Sequence, residues 1–418
     1  MGWLLVVDLV VIVVLARVLG PLAGKLGQPA VVGEILGGIL LGPTLLHGAI
    51  TNALFPAAVR PPLTLLATIG VCVFMFLVGL HLDRGQLAGR GRIAGTVSLS
   101  AIVLPFGLGV LLALHLAGAH PAGDRLGFVL FLGTAMSVTA FPVLARILSD
   151  RQLIDTPIGG LALACAAVDD VLAWTLLAIV AAISGGANPW QVLLVLPFTA
   201  LLVWGVRPLL ARLARRERHT GPVVTAAVVL AVAAGLFLSA EATDRMGLHA
   251  FFGAFLFGAV MPRHGATAVR ERVLPWVDRV SSVVLLPVFF MVAGLKVDLS
   301  EVDARGLGEL GLILLVAVGG KFGGAFLGAR ASGVRPRHSA VLAILVNTRG
   351  LTELIALTVG LQLGVLDQEL YSLMVVMALV TTAMTGVLLK VVYPGWRVRR
   401  DRGQEPEFEL PQRLGEPR

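Results

Sequence analysis

Apolar runs separated by short polar stretches recur from Leu4 to Val392, and a run of about 20 apolar residues is what a helix needs to cross roughly 30 Å of hydrocarbon. Bounding the runs by charges, Pro and Gly predicts thirteen helices, at residues 3–20, 28–46, 63–82, 93–117, 126–148, 158–184, 190–211, 222–240, 247–262, 280–297, 308–330, 338–361 and 370–393. No segment alternates polar and apolar positions over about ten residues, as a membrane β-strand would. The expectation is an all-α polytopic membrane protein whose partners include the lipid bilayer.

Composition agrees. The 418 residues are 57% hydrophobic and 14% charged, with a mean hydropathy of +0.91, whereas a soluble domain carries roughly 25% charged residues. Cys72 and Cys165 both fall inside apolar runs, which suggests neither a disulfide nor a metal site. No basic residue precedes the first run, and Arg17 lies on its far side, so the run reads as a retained span with the N-terminus outside. On that orientation the inner loops hold 19 Lys and Arg, the outer loops five (Arg60, Arg125, Arg245, Lys296, Arg305), and the last helix end and tail seven. The net charge of +8 therefore reads as the positive-inside bias of a bacterial inner or plasma membrane protein, not as a surface for nucleic acid. The polar stretch 394–418 is expected to be a disordered cytoplasmic tail.

The chain also repeats itself. VFMFLVGLHLD (73–83) matches VFFMVAGLKVD (288–298), and AVVGEILGGILLGP (30–43) matches AFFGAFLFGAVMP (250–262). The matches relate the second and third spans to the ninth and tenth. A shift of seven spans is odd, so the copies must run through the membrane in opposite directions, as the inverted repeats of secondary transporters do.

An ionisable residue at the bilayer centre costs at least roughly 2.5 to 3.5 kcal/mol, so each one calls for a use. Those singled out are Glu34, Asp169, Asp170, Lys321, Arg349 and Glu353. Asp169 and Asp170 sit in mid-helix, where neither can be a cap, and adjacent helical residues point about 100° apart. One can face a partner helix while the other faces a cavity. Lys321, flanked by Gly pairs, reads as a counter-charge to one of them. FVLFLGTAMSVTAFPVLARIL, with Thr134, Ser137, Thr139 and Pro142, and AVLAILVNTRGLTELIALTVG, with Asn347, Thr348, Arg349 and Glu353, look like two broken helices, again seven spans apart. Freed carbonyls and helix dipole ends at such breaks can bind an ion, which makes these hydroxyls and the Asn347 amide candidates for its shell. Arg349 and Glu353, four apart, are placed to pair with each other or to offset the helix dipoles. Glu34, in GEILGGILLGP, reads equally as a structural hydrogen bond or as part of transport.

The strings GEILGGILLGP, TAFPVLARIL, AVDDVLAW, LPVFFMVAGLKVDL and NTRGLTEL, in this order between about residues 28 and 360, resemble the monovalent cation:proton antiporter-2 family. The resemblance implies a transmembrane antiporter domain over 1–393, with core helices at about 93–184 and 308–393 and scaffold or dimer helices at about 1–82 and 190–297. It further implies a homodimer, Asp170 as the main ligand of the monovalent cation, and Asp169 paired with Lys321. NTRGLTEL resembles the potassium/proton branch, which leaves Na⁺ and K⁺ both open.

The chemistry of the residues points the same way. A buried carboxylate is both an oxygen ligand for a hard cation and a proton acceptor, so cation and proton compete for one negative charge, with no resident cofactor and no enzymatic step. A membrane aspartyl protease needs its two aspartates on different helices, which adjacent residues cannot supply. An ion channel needs no competition at a bound site. A sodium-coupled solute symporter of similar architecture is the remaining alternative.

Overall fold

The computed structural model describes residues 2–45, 49–56, 58–81, 91–120, 123–153, 156–184, 194–216, 222–246, 250–262, 271, 273–300 and 302–394. The tail beyond residue 394 and the inner-loop residues Arg84, Arg90, Arg218, Arg263, Arg270 and Arg272 lie outside them. The described residues are helical, with no strand among them. In chain order the helices are α1 Gly2–Lys25, α2 Ala30–Leu41, α3 Ala49–Leu54, α4 Arg60–His81, α5 Gly91–Leu116, α6 Arg125–Ser137, α7 Phe141–Asp150 and α8 Pro157–Ser184. Next comes α9, Val195–Ala200, continued by π-helical Leu201–Val206 and then Arg207–Arg216. After α10 Pro222–Arg245 and α11 Ala250–Val260, α12 runs from Leu274–Val280 through π-helical Ser281–Leu285 into Leu286–Leu295. The last four are α13 Ala304–Ala331, α14 Pro336–Val346, α15 Leu351–Gln362 and α16 Gln368–Val392.

Every predicted span contains a helix, and the two spans read as broken are helix pairs, α6/α7 and α14/α15. By length and composition nine described helices can cross a membrane, and the shorter apolar ones are α2, α6, α11 and α14. These four fall into the pairs α2/α11 and α6/α14, which the repeat relates. Some edges move for local reasons. α13 starts at Ala304, ahead of the predicted 308, because Asp303 caps it by accepting from the Gly306 N–H at 2.9 Å. Asp367 does the same for α16 through the Leu370 N–H at 2.8 Å.

The chain forms two compact units. The first comprises residues 1–18, 34–82 and 178–296. Here the repeat has a direct structural expression. A Cβ on Gly38 of α2 would stand 2.8 Å from the Gly294 Cα of α12, and one on Gly258 of α11 would strike the Phe76 carbonyl of α4, while one on Gly79 would strike that of Phe255. In the sequence match Gly38 aligns with Gly258 and Gly79 with Gly294. Each close crossing is therefore the repeat image of the other, with helices exchanged between the copies. Only glycine permits backbones so near. Around the second crossing Phe76 and Phe257 stack with ring centroids 5.9 Å apart, joined by Leu77, Leu202, Leu210 and Val260.

The second unit comprises residues 19–33, 83–177 and 297–418. Its axis is the pair α5 and α13. A Cβ at Gly320 would meet Pro105 at 2.9 Å, and one at Gly324 would strike the Ser100 carbonyl. The glycines around Lys321 thus serve close packing on α5, and they bring the lysine inward. α6 packs on α5 at Gly109 and Gly133 in the same way.

Candidate functional site

The site grows from two interruptions. α6 ends at Ser137 and α7 begins at Phe141, while α14 ends at Val346 and α15 begins at Leu351. Each break strands backbone groups that apolar surroundings cannot satisfy. They satisfy each other: the Ala140 N–H donates to the Thr348 carbonyl at 3.0 Å, and the Thr139 hydroxyl lies 3.1 Å from the Val346 carbonyl. The breaks therefore cross, and Gly350 sits where a Cβ would meet the Val143 side chain at 2.6 Å.

Arg349 fills the crossing. Its Nη1 donates to the Ala135 carbonyl at 2.9 Å and to Glu353 Oε1 at 2.6 Å, and its Nη2 donates to the Met136 carbonyl at 2.6 Å. Ala135 and Met136 belong to the last turn of α6, the negative end of that helix dipole. Glu353 occupies the first turn of α15, the positive end of another. The pair is fully buried, and its two charges meet two opposite dipole ends.

Against this crossing α8 presents its two carboxylates, and both are buried. Asp169 Oδ2 accepts from the Thr139 hydroxyl at 2.7 Å and from Lys321 Nζ at 3.3 Å, and Lys321 also donates to Thr139 Oγ1 at 2.6 Å. Lysine, threonine and aspartate form a closed triangle contributed by α13, the α6/α7 break and α8. Asp170 faces elsewhere. No side chain hydrogen-bonds either of its oxygens, and the backbone N–H of Phe141, first residue of α7, lies against it. Adjacent residues on one helix are thus placed differently: one carboxylate meets a lysine and a threonine, and both oxygens of the other are buried without a hydrogen-bond partner.

The remaining predicted residues divide. The Thr134 hydroxyl bonds the Leu130 carbonyl at 2.8 Å and that of Ser137 bonds the Thr134 carbonyl at 2.7 Å, so both are turned to their own helix. Both polar atoms of the Asn347 side chain and the Thr348 hydroxyl are buried without a hydrogen-bond partner. Glu34 is half-buried on α2 and belongs to the first unit. Among the described residues no three His, Cys, Asp or Glu side chains come together as a chelated metal would need.

Three residues escape sequence reasoning. Thr382 on α16 donates to the Arg349 carbonyl at 2.7 Å and accepts from the Arg349 N–H at 3.3 Å, supplying both partners that the break removes. Ser98 on α5, fully buried, donates to the Cys165 carbonyl at 2.9 Å, one turn before Asp169. Asp8 on α1 is 3% exposed. Lone hydroxyls in apolar helices commonly bond their own carbonyls, so sequence carries no signal for the first two. Asp8 differs from them, because an Asp inside an apolar run was a usable signal.

The sodium/hydrogen exchanger transmembrane family matches residues 10–393. The Na⁺/H⁺ antiporter NhaS4 of Synechocystis is 37% identical over 403 residues, covering 94% of this chain and 97% of that protein. Cation/H⁺ antiporter 20 of Arabidopsis thaliana is 37% identical over 93% of this chain and 48% of its own length, and K⁺/H⁺ antiporter 1 of Saccharomyces cerevisiae is 32% identical over 88% and 44%. The chain spans about half the length of these last two. The sodium proton antiporter MjNhaP1 of Methanocaldococcus jannaschii superposes with a TM-score of 0.62 at 17% identity, over 95% of this chain and 98% of that one, and so shares the fold. With crossed broken helices, a buried aspartate pair and a family match over nearly its whole length, the chain belongs to the sodium/hydrogen exchanger family.

Proposed function

We propose that this protein exchanges a monovalent cation, Na⁺ or K⁺, for protons across the membrane. The observation that carries this reading is the difference between its two neighbouring aspartates: Lys321 and Thr139 occupy Asp169, and no side chain occupies Asp170. If all three ionisable groups are charged, two carboxylates and one ammonium leave one negative charge. A cation or a proton can neutralise it, but not both together, and that exclusion is what couples the two flows. The unpartnered oxygens of Asn347 and Thr348 in the crossing supply further neutral ligands of the kind a hard cation takes. Relatives named as Na⁺/H⁺ and as K⁺/H⁺ antiporters support exchange and leave both cations in place. Nothing favours the solute symporter.

In this reading the second unit, which carries the site, is the moving core, and the first is the scaffold on which two copies dimerise. The N-terminus lies outside the cell and the tail inside, as the loop charges require. Alternating access then needs only that Asp170 face one aqueous side and then the other. Purified protein in solute-free vesicles, given Na⁺, Li⁺ and K⁺ gradients separately, should move protons against at least one of them. Proton movement with none of the three would refute the reading.

A further inference from the structure

At the ends of three candidate spans, the second unit holds a cluster that the transport site does not use: His120 and Asp367 lie outside the spans, and Glu309 lies in the second turn of α13. His120 follows α5 at its C-terminal end, with its N–H bonded back to the Leu116 carbonyl at 3.0 Å. Its Nε2 lies 2.8 Å from Glu309 Oε2 in the second turn of α13, and its Nδ1 lies 2.6 Å from Asp367 Oδ2, the N-cap of α16. Arg305 reaches the other oxygen of Glu309 at 3.2 Å. One imidazole thus ties together the ends of three helices.

The geometry dictates a protonation state. A neutral imidazole has one N–H, and its other nitrogen is an acceptor. Here both ring nitrogens stand at hydrogen-bond distance from carboxylate oxygens, which are acceptors when ionised. Only the imidazolium satisfies both contacts, and loss of its proton turns one of them into a lone-pair clash. The helix ends agree: a cation stands at the C-terminus of α5, and anions stand at the N-termini of α13 and α16. We propose that His120, Glu309 and Asp367 form a second proton-binding site, a clamp that holds the outer ends of α5, α13 and α16 together while His120 is charged.

The surroundings define its range. His120 is 4% exposed, Glu309 12% and Asp367 42%, so the histidine is shielded while one partner meets water. His115 and Arg305 line the adjoining cleft with Glu309. Asp303 and Glu369 both lie about the first turn of α13, near Gly306. The hydrogen bond to Asp367, against the opposing effect of burial and with help from Glu309, pushes the His120 pKa up to about 9. A raised histidine pKa contributes stability that is full below the unfolded value of about 6.5 and is lost as pH rises through about 9. The clamp therefore holds at neutral pH and opens on the alkaline side. Two of its helices reach the transport site, α13 through Lys321 and α16 through Thr382. Given the exchange proposed above, opening it loosens the body that must move as one, and transport slows.

The test is the melting temperature of purified protein, followed by tryptophan fluorescence from pH 6 to 10.5, for wild type, His120→Gln, His120→Arg and Glu309→Gln. Wild type should melt several degrees above His120→Gln at pH 7, with the gap closing around pH 9. His120→Arg should show no such step. Glu309→Gln, which keeps the histidine and removes one carboxylate, should keep the step and move it to lower pH; it carries the test alone if His120→Gln does not fold. A gap that stays constant to pH 10.5, or a step that Glu309→Gln leaves in place, would overturn the proposal. In vesicles, exchange should fall severalfold between outer pH 8 and 10 in wild type and not in His120→Arg, and an equal fall in both would remove the regulatory role. Because melting is read without transport, an inert protein would count against the exchange reading and leave the clamp fully tested.

Discussion

Lys321 Nζ stands 3.3 Å from Asp169 Oδ2 and shares the Thr139 hydroxyl with it, and the lysine and the aspartate are both fully buried. The pair is the only place in the described crossing where an ammonium meets a carboxylate. In the exchange proposed above, a cation arriving at Asp170, the adjacent residue, brings a second positive charge to that neighbourhood and favours release of the lysine's proton.

If that release completes the cycle, two protons move for each monovalent cation, one from Lys321 and one from Asp170. Such transport is electrogenic, and each net charge carries about 2.3 kcal/mol per 100 mV. Lys321→Gln should leave one exchangeable proton and make exchange electroneutral. Solid-supported-membrane currents under identical cation gradients check this. Wild type with robust exchange and no current would contradict the two-proton scheme, and an undiminished current in Lys321→Gln would remove the lysine from it.

Arg349→Ala should destabilise the protein by about 3–5 kcal/mol, because it leaves Glu353 buried without its partner and deprives the Ala135 and Met136 carbonyls of their donor. The double variant with Glu353→Ala should cost less than the two single changes added together. A double-mutant cycle on melting in detergent measures the difference, and strict additivity would mean that the pair does not act as a unit.

Gly258→Ala should cost about 1–3 kcal/mol through overpacking, since its Cβ has the Phe76 carbonyl in its way, and backbone cannot swing aside as a side chain can. Gly319→Ala, where nothing stands within 4 Å, is the control and should be neutral or slightly stabilising. Size-exclusion profiles and melting temperatures of the two variants give the comparison; equal stability would show that the crossing is looser than the glycine geometry requires.

That crossing also shows how far the sequence carries. The matches VFMFLVGLHLD with VFFMVAGLKVD and AVVGEILGGILLGP with AFFGAFLFGAVMP place Gly79 opposite Gly294 and Gly38 opposite Gly258 in register, and the same four glycines make two close crossings of the first unit. The broken helices were legible for a similar reason: Pro, Gly and clustered polar residues inside an apolar run are hard to keep in continuous helix. What remained hidden was pairing across helices. Nothing in the spelling of TTAMTG distinguishes Thr382, which bonds the Arg349 backbone, from Thr381, which bonds its own helix at the Met377 carbonyl. Nor does spacing show which aspartate faces Lys321, because a 100° separation between neighbours fixes their divergence and not its direction. His120 lies in a loop, and its two carboxylates are 189 and 247 residues away; no local pattern joins them.

The proposed exchange depends most directly on Asp170. Asp170→Asn keeps the shape of the side chain and one carbonyl oxygen while removing the charge for which cation and proton compete. The decisive measurement is cation-driven proton flux in vesicles holding equal amounts of wild type and Asp170→Asn, each shown beforehand to be monodisperse and to melt at a similar temperature. Flux at the level of empty vesicles in the variant is the predicted result, and retained proton-coupled cation flux would contradict it.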